Sequence, residues 1–448
     1  MIEILLAKWV LPICTGPIED GAVAIDGSSI VDIGEAKTVI AGFPDATCHD
    51  FGMAAILPGL VNCHSHLELT VMRGFLEREE HDFFRWLKKL GSSRYELLNR
   101  NDLFISAVCG AIEAARAGIT CLGGDASDEA SASHTALREV GLRGIVYQEV
   151  FGPDAGIAAE KLQSLQNKIK ETRALDTGLV RTGVSPHAPY TVSPLLLRSV
   201  VEYAVAEQLP IMMHAAESKS EEQFIRTGSG PFADGLRARN IDFNVQGCST
   251  IQYLAKSGVL STGPLLVHSI HVDEDDLKMI RESGASVAHC PKSNAKFGHS
   301  RAPLSAFIKN NILFGIGSDS VASNNTCDLI EEGRFAALIG RVDSDAGRST
   351  DNEVATINSE VILHAMTYGG ARALKMEDQI GTLQIGLKAD ITVIDLSGCH
   401  QQPVYDPVSA IVFSSSARDV LMTIVYGFLF YRNDNVARVD ENDYLKQI

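Results

Sequence analysis

The sequence has no C-x-x-C pair, and its nine cysteines are an odd number at scattered positions. A disulfide framework is therefore excluded, and we expect reduced, mostly buried thiols in a cytoplasmic protein. The missing C-x-x-C also excludes the zinc nucleobase deaminases, which combine H-x-E with P-C-x-x-C.

Basic residues are scarce as well, since 39 lysines and arginines stand against 56 acidic residues and give a net charge of −17. That balance argues against nucleic acid and anionic membranes as partners, because both attract basic surfaces. No apolar stretch reaches the roughly 18 residues that a membrane-spanning helix needs. The N-terminal apolar run contains Glu3 and Lys8 and lacks a small-residue cleavage signal, so we expect a strand there and not a signal peptide.

Eight short apolar runs recur along the middle of the chain, with longer amphipathic stretches between them. The runs are 56–63, 118–123, 144–151, 179–185, 209–213, 264–270, 285–288 and 312–318. Apolar strands that alternate with helices predict a parallel sheet covered on both faces, and eight such units predict an α/β protein with a (β/α)8 TIM-like barrel. Helices are expected at 101–116 and 193–207, with Asn101 and Ser193 as their N-caps.

Both ends of the chain have a different pattern. Residues 1–56 and 376–448 carry alternating, β-rich runs with glycine and aspartate between them, which are strand and turn signals. We expect these two segments to form one small composite β-sandwich domain, with the barrel of residues 57–375 inserted between them. A sandwich is expected because a single sheet would leave an apolar face exposed.

Polar residues that suit a metal site follow six of the eight runs. They are His64 and His66 after the first run, His187 after the fourth, His214 and Glu217 after the fifth, His268 and His271 at the sixth, His289 and Asn294 after the seventh, and Asp319 after the eighth. Active sites of such barrels lie at the C-terminal ends of the strands, so we expect these residues to meet. The remaining histidines, His49, His81, His134, His299, His364 and His400, are interpreted as scattered outside the site.

Two histidines separated by one strand residue point the same way, so His64 and His66 can bind one ion. With His214 and Asp319 they give three nitrogens and one oxygen, a set that suits a borderline divalent ion such as Zn²⁺. An open position would hold a water whose pKa the metal lowers toward about 7.

The other polar residues have predicted roles in the chemistry. Glu217 is predicted to shuttle protons, and His268 to steady the hydroxide or the developing oxyanion. His187 and Asn294 are predicted to orient the substrate. The alternatives for these two are a structural histidine and a capping asparagine.

These residues lie in stretches that resemble the amidohydrolase superfamily. The matching stretches are PGLVNCHSH, LTVMRG, SPHAPYT, HAAES, LLVHSIHVDEDDL, HCPKSNAKFG, GIGSDSVASNN and GTLQIGLKADITVID. They are most like the branch of methylthioadenosine/S-adenosylhomocysteine deaminases, aminodeoxyfutalosine deaminases, guanine deaminases and triazine hydrolases. The resemblance implies one Zn²⁺ or Fe²⁺, Zn²⁺ preferred, held by the three histidines and the aspartate named above. It also implies that Glu217, His268 and Asp319 move protons while metal-bound hydroxide attacks an amino- or halo-substituted ring carbon.

Trp86 falls where the methylthioadenosine deaminases carry a tryptophan over the substrate. A stacking role is predicted, with packing of a helix onto the barrel as the equal alternative. Those deaminases follow this tryptophan with a glutamate that holds the ribose, whereas Tyr95 takes that position here and Glu96 is one residue off.

Three further features bear on substrate and metal. Lys88, Lys89 and Arg94 are basic residues in an acidic protein, and they either bind a substrate carboxylate or form a solvated helix face. Glu149 either bridges a second metal or pairs within the barrel mouth, and we favour the pairing. The segment 228–245 is a candidate lid over the site.

The first hypothesis is therefore a metal-dependent hydrolytic deaminase of an amino-substituted purine nucleoside or related N-heterocycle, such as a 5'-substituted adenosine or aminodeoxyfutalosine. The alternatives are a triazine-type chlorohydrolase or aminohydrolase, or a guanine deaminase. A non-enzymatic scaffold is the weakest alternative, because all four predicted ligands are retained. We expect a small-molecule heterocyclic substrate and a homo-oligomer, with neither nucleic acid nor membrane as partner.

Overall fold

The computed structural model describes residues 2–127, 129–342, 357–432, 435–436 and 438–447. Its strands are β1 Ile2–Val10, β2 Ile18–Asp26, β3 Ser29–Glu35, β4 Thr47–Asp50, β5 Ala54–Pro58, β6 Leu60–Ser65, β7 Ile119–Ala126, β8 Arg143–Val150, β9 Val180–Pro186, β10 Met212–Ala215, β11 Leu265–His268, β12 Ser286–His289, β13 Leu313–Ile316, β14 Ile391–Asp395, β15 Val420–Val425, β16 Phe428–Arg432 and β17 Asn435–Val436. Its α-helices are Ala36–Gly42, Phe83–Leu97, Arg100–Arg116, Ala130–Val140, Ala158–Arg173, Pro194–Ala206, Lys219–Thr227, Pro231–Arg237, Thr250–Lys256, Glu274–Ser283, Pro291–Lys296, Leu304–Lys309, Val321–Asn324, Leu329–Arg341, Ser359–Ala365, Tyr368–Ala373, Pro407–Ser414 and Glu441–Leu445.

Two four-stranded parallel sheets form the centre of the molecule, in the orders β6-β7-β8-β9 and β10-β11-β12-β13. Single parallel bridges connect the two sheets at both edges, Ser65 with Asp319 and Val184 with Ile211. Each of the eight predicted runs overlaps one of these strands, so the predicted mixed α/β class with parallel sheets is confirmed. The C-terminal ends of parallel strands lie on one side, which is where the predicted site residues fall.

The first apolar run is not one strand, as the sequence predicted, but two. β5 pairs antiparallel with β14 in the terminal sheet, whereas β6 pairs parallel with β7. The chain changes sheets at Gly59, where a Cβ would lie only 2.1 Å from Oγ1 of Thr120. Close packing at this change of direction therefore requires glycine.

Helix starts confirm one predicted N-cap and correct the other. Ser193 accepts a hydrogen bond from the main-chain N–H of Leu196, as predicted. The other helix begins at Arg100, and its cap is Asn99, which accepts from the main-chain N–H groups of Asn101 and Asp102. The prediction of Asn101 as N-cap is wrong, because a cap two residues earlier satisfies the first-turn amides.

Both termini contribute to one further sheet of nine strands. Its order is β17-β16-β15-β14-β5-β1-β2-β3, and β4 pairs with β1. The N-terminal apolar run forms β1, which confirms the strand expected there. Hydrogen bonds connect all nine strands into this one sheet. The second, facing sheet that a sandwich requires stays a prediction.

The segment 228–245 contains the helix Pro231–Arg237. Phe232 of that helix stacks on Tyr190 with ring centroids 3.8 Å apart and meets Phe84 edge-on at 5.7 Å. Through Phe232, the segment thus contacts both Tyr190 and the helix Phe83–Leu97. Across the described ranges, no helix combines the length and apolarity needed to cross a membrane.

Candidate active site

The paired histidines lie at the C-terminal end of β6. The ring centroids of His64 and His66 are 4.8 Å apart, with the ring planes at 88°. The side chain of His64 is fully buried, and that of His66 is 10% exposed. Both imidazoles therefore face the same enclosed region, as the H-x-H spacing predicted.

His214 and Asp319 reach the same region from distant parts of the chain. The ring centroid of His214, in β10, is 4.9 Å from that of His64. Oδ1 of Asp319 lies 3.5 Å from Nε2 of His64 and 3.6 Å from Nε2 of His66. Two donors bound to one tetrahedral ion at about 2.0–2.2 Å stand about 3.3–3.6 Å apart, so the distances from Asp319 to His64 and His66 fit a shared ion. We call His64, His66, His214 and Asp319 the metal cluster.

Surrounding groups hold the metal cluster in place. Nδ1 of His214 donates to the main-chain oxygen of His187 at 3.1 Å, which leaves Nε2 for an ion. Oδ2 of Asp319 accepts from the hydroxyl of Ser293 at 2.6 Å. Nε2 of His64 is buried and has no hydrogen-bond partner among the residues that the structure describes. An orphaned buried nitrogen costs free energy, and a bound cation would satisfy it.

Strained backbone aims two of the site's side chains. The φ angle is +58° at Asp319 and +74° at His268, a left-handed conformation that is unfavourable for residues other than glycine. The main-chain N–H of Asp319 donates to the carbonyl of His64 at 2.9 Å. This bond holds the segment after β13 against the end of β6, and it directs the carboxylate of Asp319 toward the imidazoles.

Burial favours the neutral form of four imidazoles at the site. Burial, followed by the charge of His64, lowers the pKa of His66 to about 3 and that of His187 to about 3. It also lowers the pKa of His268 to about 4 and that of His214 well below its usual value. Neutral imidazole is the form that binds metal, so the histidines are ready to act as ligands.

A second carboxylate, Asp125 at the end of β7, lies near the metal cluster. One of its ligand atoms is within 4.8 Å of one from each of the three imidazoles. Burial, followed by the charge of Glu149, raises the pKa of Asp125 well above its usual value. Burial acts in the same direction on Asp319, but the close contact with His64 and the positive charge that this ring can carry outweigh it and hold the pKa of Asp319 well below its usual value. Both carboxylates lie close enough to compete for an ion, so the choice of Asp319 as the ligand stays a prediction.

Glu217 and His268 form a second group beside the metal cluster. Nε2 of His268 lies 3.5 Å from Oε1 of Glu217, and Nδ1 of His268 donates to Oδ1 of Asn294 at 2.8 Å. Glu221 accepts from the main-chain N–H of Glu217 at 2.9 Å and so fixes the turn after β10. Burial, followed by the charge of Asp319, raises the pKa of Glu217 well above its usual value. Its protonated form is therefore favoured, as a proton donor requires.

Asn294 contacts His268, and it is absent from the described residues that line the cavity over the site. Its observed contact is thus with another protein side chain. The predicted contact of Asn294 with substrate stays a prediction.

His299 belongs to the site, contrary to its interpretation as scattered. Its Nε2 lies 3.6 Å from Oε1 of Glu217, and its side chain is 7% exposed. The segment after the helix Pro291–Lys296 turns back at Gly298, where φ is +66°. No apolar run immediately precedes His299, so the strand-end rule had no means to find it. The G-H pair after a short helix was the available signal.

A cavity of about 380 Å³ opens over these residues. The metal cluster supplies three of its lining residues, and Glu217, His268 and His187 also line it. Its aromatic wall consists of Phe83, Trp86, Tyr95, Phe151, Tyr190 and Phe297. Trp86 is 5% exposed and meets Phe297 edge-on at 4.9 Å, so it packs within the helix layer and faces the cavity at once.

His187 lies on the wall of the cavity near Glu149. Its ring is 4.6 Å from that of Phe151, and its Nδ1 is 2.9 Å from the hydroxyl of Thr191. Nε2 of His187 is 3.8 Å from Oε1 of Glu149, which agrees with pairing in the barrel mouth. Ligand atoms of Glu149, His187 and His214 also lie within 4.8 Å of one another, so the single-metal interpretation stays a prediction.

The three predicted basic residues all lie on the helix Phe83–Leu97, but their surroundings differ. Arg94 lines the cavity, whereas Lys88 is exposed and Lys89 pairs with Glu79 at 3.1 Å. Tyr95 also borders the cavity, although 88% of it is exposed. Only Arg94 of these three basic residues is placed where a substrate carboxylate could meet it.

Residues 55–429 match the model of the amidohydrolase family. A 5-methylthioadenosine/S-adenosylhomocysteine deaminase from Pelotomaculum thermopropionicum is 30% identical over 427 residues, which cover 95% of this chain and 92% of that protein.

Two solved structures share the fold. An adenosine deaminase from Xanthomonas campestris with bound zinc superposes with a TM-score of 0.85 at 24% identity, covering 99% of this chain and 96% of that one. The Helicobacter pylori aminofutalosine deaminase in complex with methylthio-coformycin has a TM-score of 0.79 at 21% identity, covering 95% and 99%.

Proposed function

We propose, on the premise that the chain belongs to the amidohydrolase family, that it is a metal-dependent hydrolytic deaminase of purine nucleosides. It is a hydrolase that acts on C–N bonds other than peptide bonds. The observation that carries the proposal is the placement of the metal cluster beside Glu217 and His268 in one enclosed cavity.

We assign His64, His66, His214 and Asp319 as the ligands of one divalent ion. Three neutral imidazoles and one carboxylate suit Zn²⁺, and Fe²⁺ is the alternative. The buried Nε2 of His64, which lacks a partner among the described residues, supports a bound cation there. When bound, such an ion supplies Lewis acidity, which lowers the pKa of water toward about 7.

The protein groups then have distinct tasks in hydrolysis. Glu217 gives a proton to the ring nitrogen beside the reacting carbon, and its raised pKa favours the form that can do so. His268, whose Nδ1–H is held by Asn294, steadies the attacking oxygen by accepting its O–H at Nε2. Asp319 takes one proton of the attacking water and passes it to the departing amino group, which leaves as ammonia. The second proton of the water restores the carboxyl of Glu217.

The cavity supports a nucleoside-sized substrate. Its volume of about 380 Å³ falls within the range of small-molecule sites, about 300–1,000 Å³. Trp86 and Phe297 offer aromatic surface to a purine ring, and His187 orients it. The Pelotomaculum relative is named for 5-methylthioadenosine and S-adenosylhomocysteine, so we propose 5'-substituted adenosines first, with aminodeoxyfutalosine as the second substrate of the same class.

We further infer that the two parallel sheets close into one eight-stranded barrel, because parallel bridges connect both of their edges. A composite domain of residues 1–56 and 376–448 beside a barrel of residues 57–375 remains our proposal for the domain division. Cytoplasmic location and a homo-oligomer belong to the same proposal.

Ammonia release by the zinc-loaded enzyme tests the function. We expect release from 5'-methylthioadenosine and S-adenosylhomocysteine and none from chlorinated triazines, where chloride would be the product. The same protein stripped of metal should be inactive and should recover activity on reconstitution. Chloride release without ammonia release would contradict the proposed function and indicate a triazine-type chlorohydrolase instead.

A further inference from the structure

His299 approaches Glu217 from outside the cavity. The cavity is lined by Glu217, whereas His299 is not among the described residues that line it. Nε2 of His299 is 3.6 Å from Oε1 of Glu217, and Nε2 of His268 is 3.5 Å from the same oxygen. Two imidazoles thus face one carboxyl oxygen of Glu217, Oε1.

The two imidazoles differ in what they can offer to Glu217. Nδ1 of His268 carries the hydrogen that it donates to Asn294, so Nε2 of the neutral ring is an acceptor. Nε2 of His299 is buried and has no hydrogen-bond partner among the described residues. A neutral ring has one N–H, and an N–H at this position would have Oε1 of Glu217 as its acceptor. A gap of 3.6 Å is longer than a hydrogen bond, but such contacts often tighten when substrate binds.

Aromatic rings fix His299 in this orientation. Phe83 meets it edge-on with ring centroids 4.4 Å apart, and Phe297 lies at 5.3 Å. Its main-chain N–H donates to the carbonyl of Asn294 at 3.0 Å. One short segment therefore carries both Asn294, which orients His268, and His299. Phe83 and Phe297 also line the cavity, so the packing that surrounds the substrate also positions His299.

We propose that His299 is a positioning residue for Glu217: its Nε2–H donates to Oε1, and this leaves the proton of the carboxyl on Oε2, directed at the substrate. The proton on Oε2 passes to the ring nitrogen, and the electron pair of the broken O–H bond stays on the carboxylate. The N–H of His299 then stabilises the negative charge that results. The inference rests on the proposed function, since it assigns a task within the same reaction.

Three variants test the role of His299. His299→Gln keeps an N–H near the position of Nε2, His299→Leu fills the same space without one, and His134→Leu removes a buried histidine that pairs with Asp176. We expect His299→Leu to lose about tenfold to hundredfold in kcat with little change in KM, as for a misplaced catalytic group. His299→Gln should retain most of kcat, and His134→Leu should leave kcat and KM unchanged.

A measurement that does not depend on turnover accompanies the kinetics. Infrared spectra of zinc-loaded protein with ¹³C-labelled glutamate, taken as the difference from Glu217→Gln, isolate the carboxyl band of Glu217. Loss of the hydrogen bond to Oε1 should raise the C=O frequency in His299→Leu and leave it in place in His299→Gln and His134→Leu.

Each result decides for or against the role. An unchanged band in His299→Leu, or equal kcat in wild type and His299→Leu, would overturn it. Equal losses in His299→Leu and His299→Gln would reduce His299 to a packing role. If His299→Leu does not fold, His299→Asn, whose shorter amide falls short of Oε1, should give the same frequency shift. Absence of ammonia release from wild type would instead contradict the proposed function. The infrared spectra would still show whether His299 donates a hydrogen bond to Oε1 of Glu217.

Discussion

Two cavities of the molecule differ in the state of the charged groups that line them. The larger cavity, about 870 Å³, lies beside the helix Arg100–Arg116 and the C-terminal residues. Four of its charged side chains form ion pairs, Arg73 with Glu113 and Arg116 with Glu441. These ion pairs are partly exposed, and such pairs contribute little energy.

The smaller cavity, over the metal cluster, has the opposite character. The polar groups at its base are almost fully buried, with side-chain exposures of 10% for His66, 1% for His268 and 5% for Glu217. Burial shifts their pKa values, and Nε2 of His64 lacks a partner among the described residues. Buried polar groups that the fold itself does not satisfy indicate a ligand site, whereas cavity volume alone does not.

The largest expected difference between the cavities comes from one carboxylate in each. Asp319→Asn should remove nearly all turnover, about 10²–10⁴-fold in kcat, because it removes an anionic ligand and a proton acceptor. Glu441→Gln, in the larger cavity, should leave kcat unchanged. Ammonia release and metal content per chain measure both, and circular dichroism checks folding. Normal activity in Asp319→Asn would remove this residue from the mechanism.

The two tryptophans of the chain give a smaller contrast, because Trp86 faces the site and Trp9 lies in β1 of the terminal sheet. Trp86→Leu should raise KM for 5'-methylthioadenosine roughly threefold to tenfold through loss of ring stacking. Trp9→Leu should leave KM unchanged and lower only the melting temperature. Equal KM values in wild type and Trp86→Leu would assign Trp86 to helix packing alone.

Acid should weaken the region around Glu217 through its buried histidines. Burial lowers the pKa of His299 to about 3, whereas an unfolded histidine titrates near 6.5. The unfolded chain therefore binds the extra proton between these values, and the stability contribution of His299, full above pH 6.5, is lost as the pH falls toward 3.

Urea unfolding of the metal-free protein at pH 7 and pH 5 measures this effect. Wild type should lose about 2 kcal/mol more than His299→Leu over that interval, from roughly 1.4 kcal/mol per pH unit below 6.5. Glu332 has the opposite effect on the pH dependence of stability, because burial raises its pKa to about 8. Its contribution to the free energy of unfolding falls as the pH rises from 4.5 toward 8. An identical acid dependence in the two proteins would place His299 in contact with solvent.

Much of the parallel-sheet core was predictable because apolar runs and the residues that follow them are local patterns. The H-x-H pair, His214 and Asp319 all stand directly after such runs, so one rule found all four. The rule failed where a side chain reaches the site from a loop. His299 arrives through a turn at Gly298, and its partner Glu217 is far away in sequence.

Other errors had equally local causes. The run 56–63 continues without a polar break, although Gly59 divides it between two sheets. Asn101 and Asn99 both suit an N-cap, and only the helix start selects Asn99. Asp125 stands two residues beyond the second apolar run, 118–123, and only the placement of the imidazoles around it marks it as a possible ligand.

Anomalous X-ray scattering at the zinc edge, from crystals of the zinc-loaded enzyme, tests the central claim most directly. The account predicts one ion per chain, about 2.0–2.2 Å from Oδ1 of Asp319 and from one nitrogen of each of the three imidazoles. An ion bound through Asp125 with Asp319 out of reach, or zinc found only elsewhere in the molecule, would contradict it.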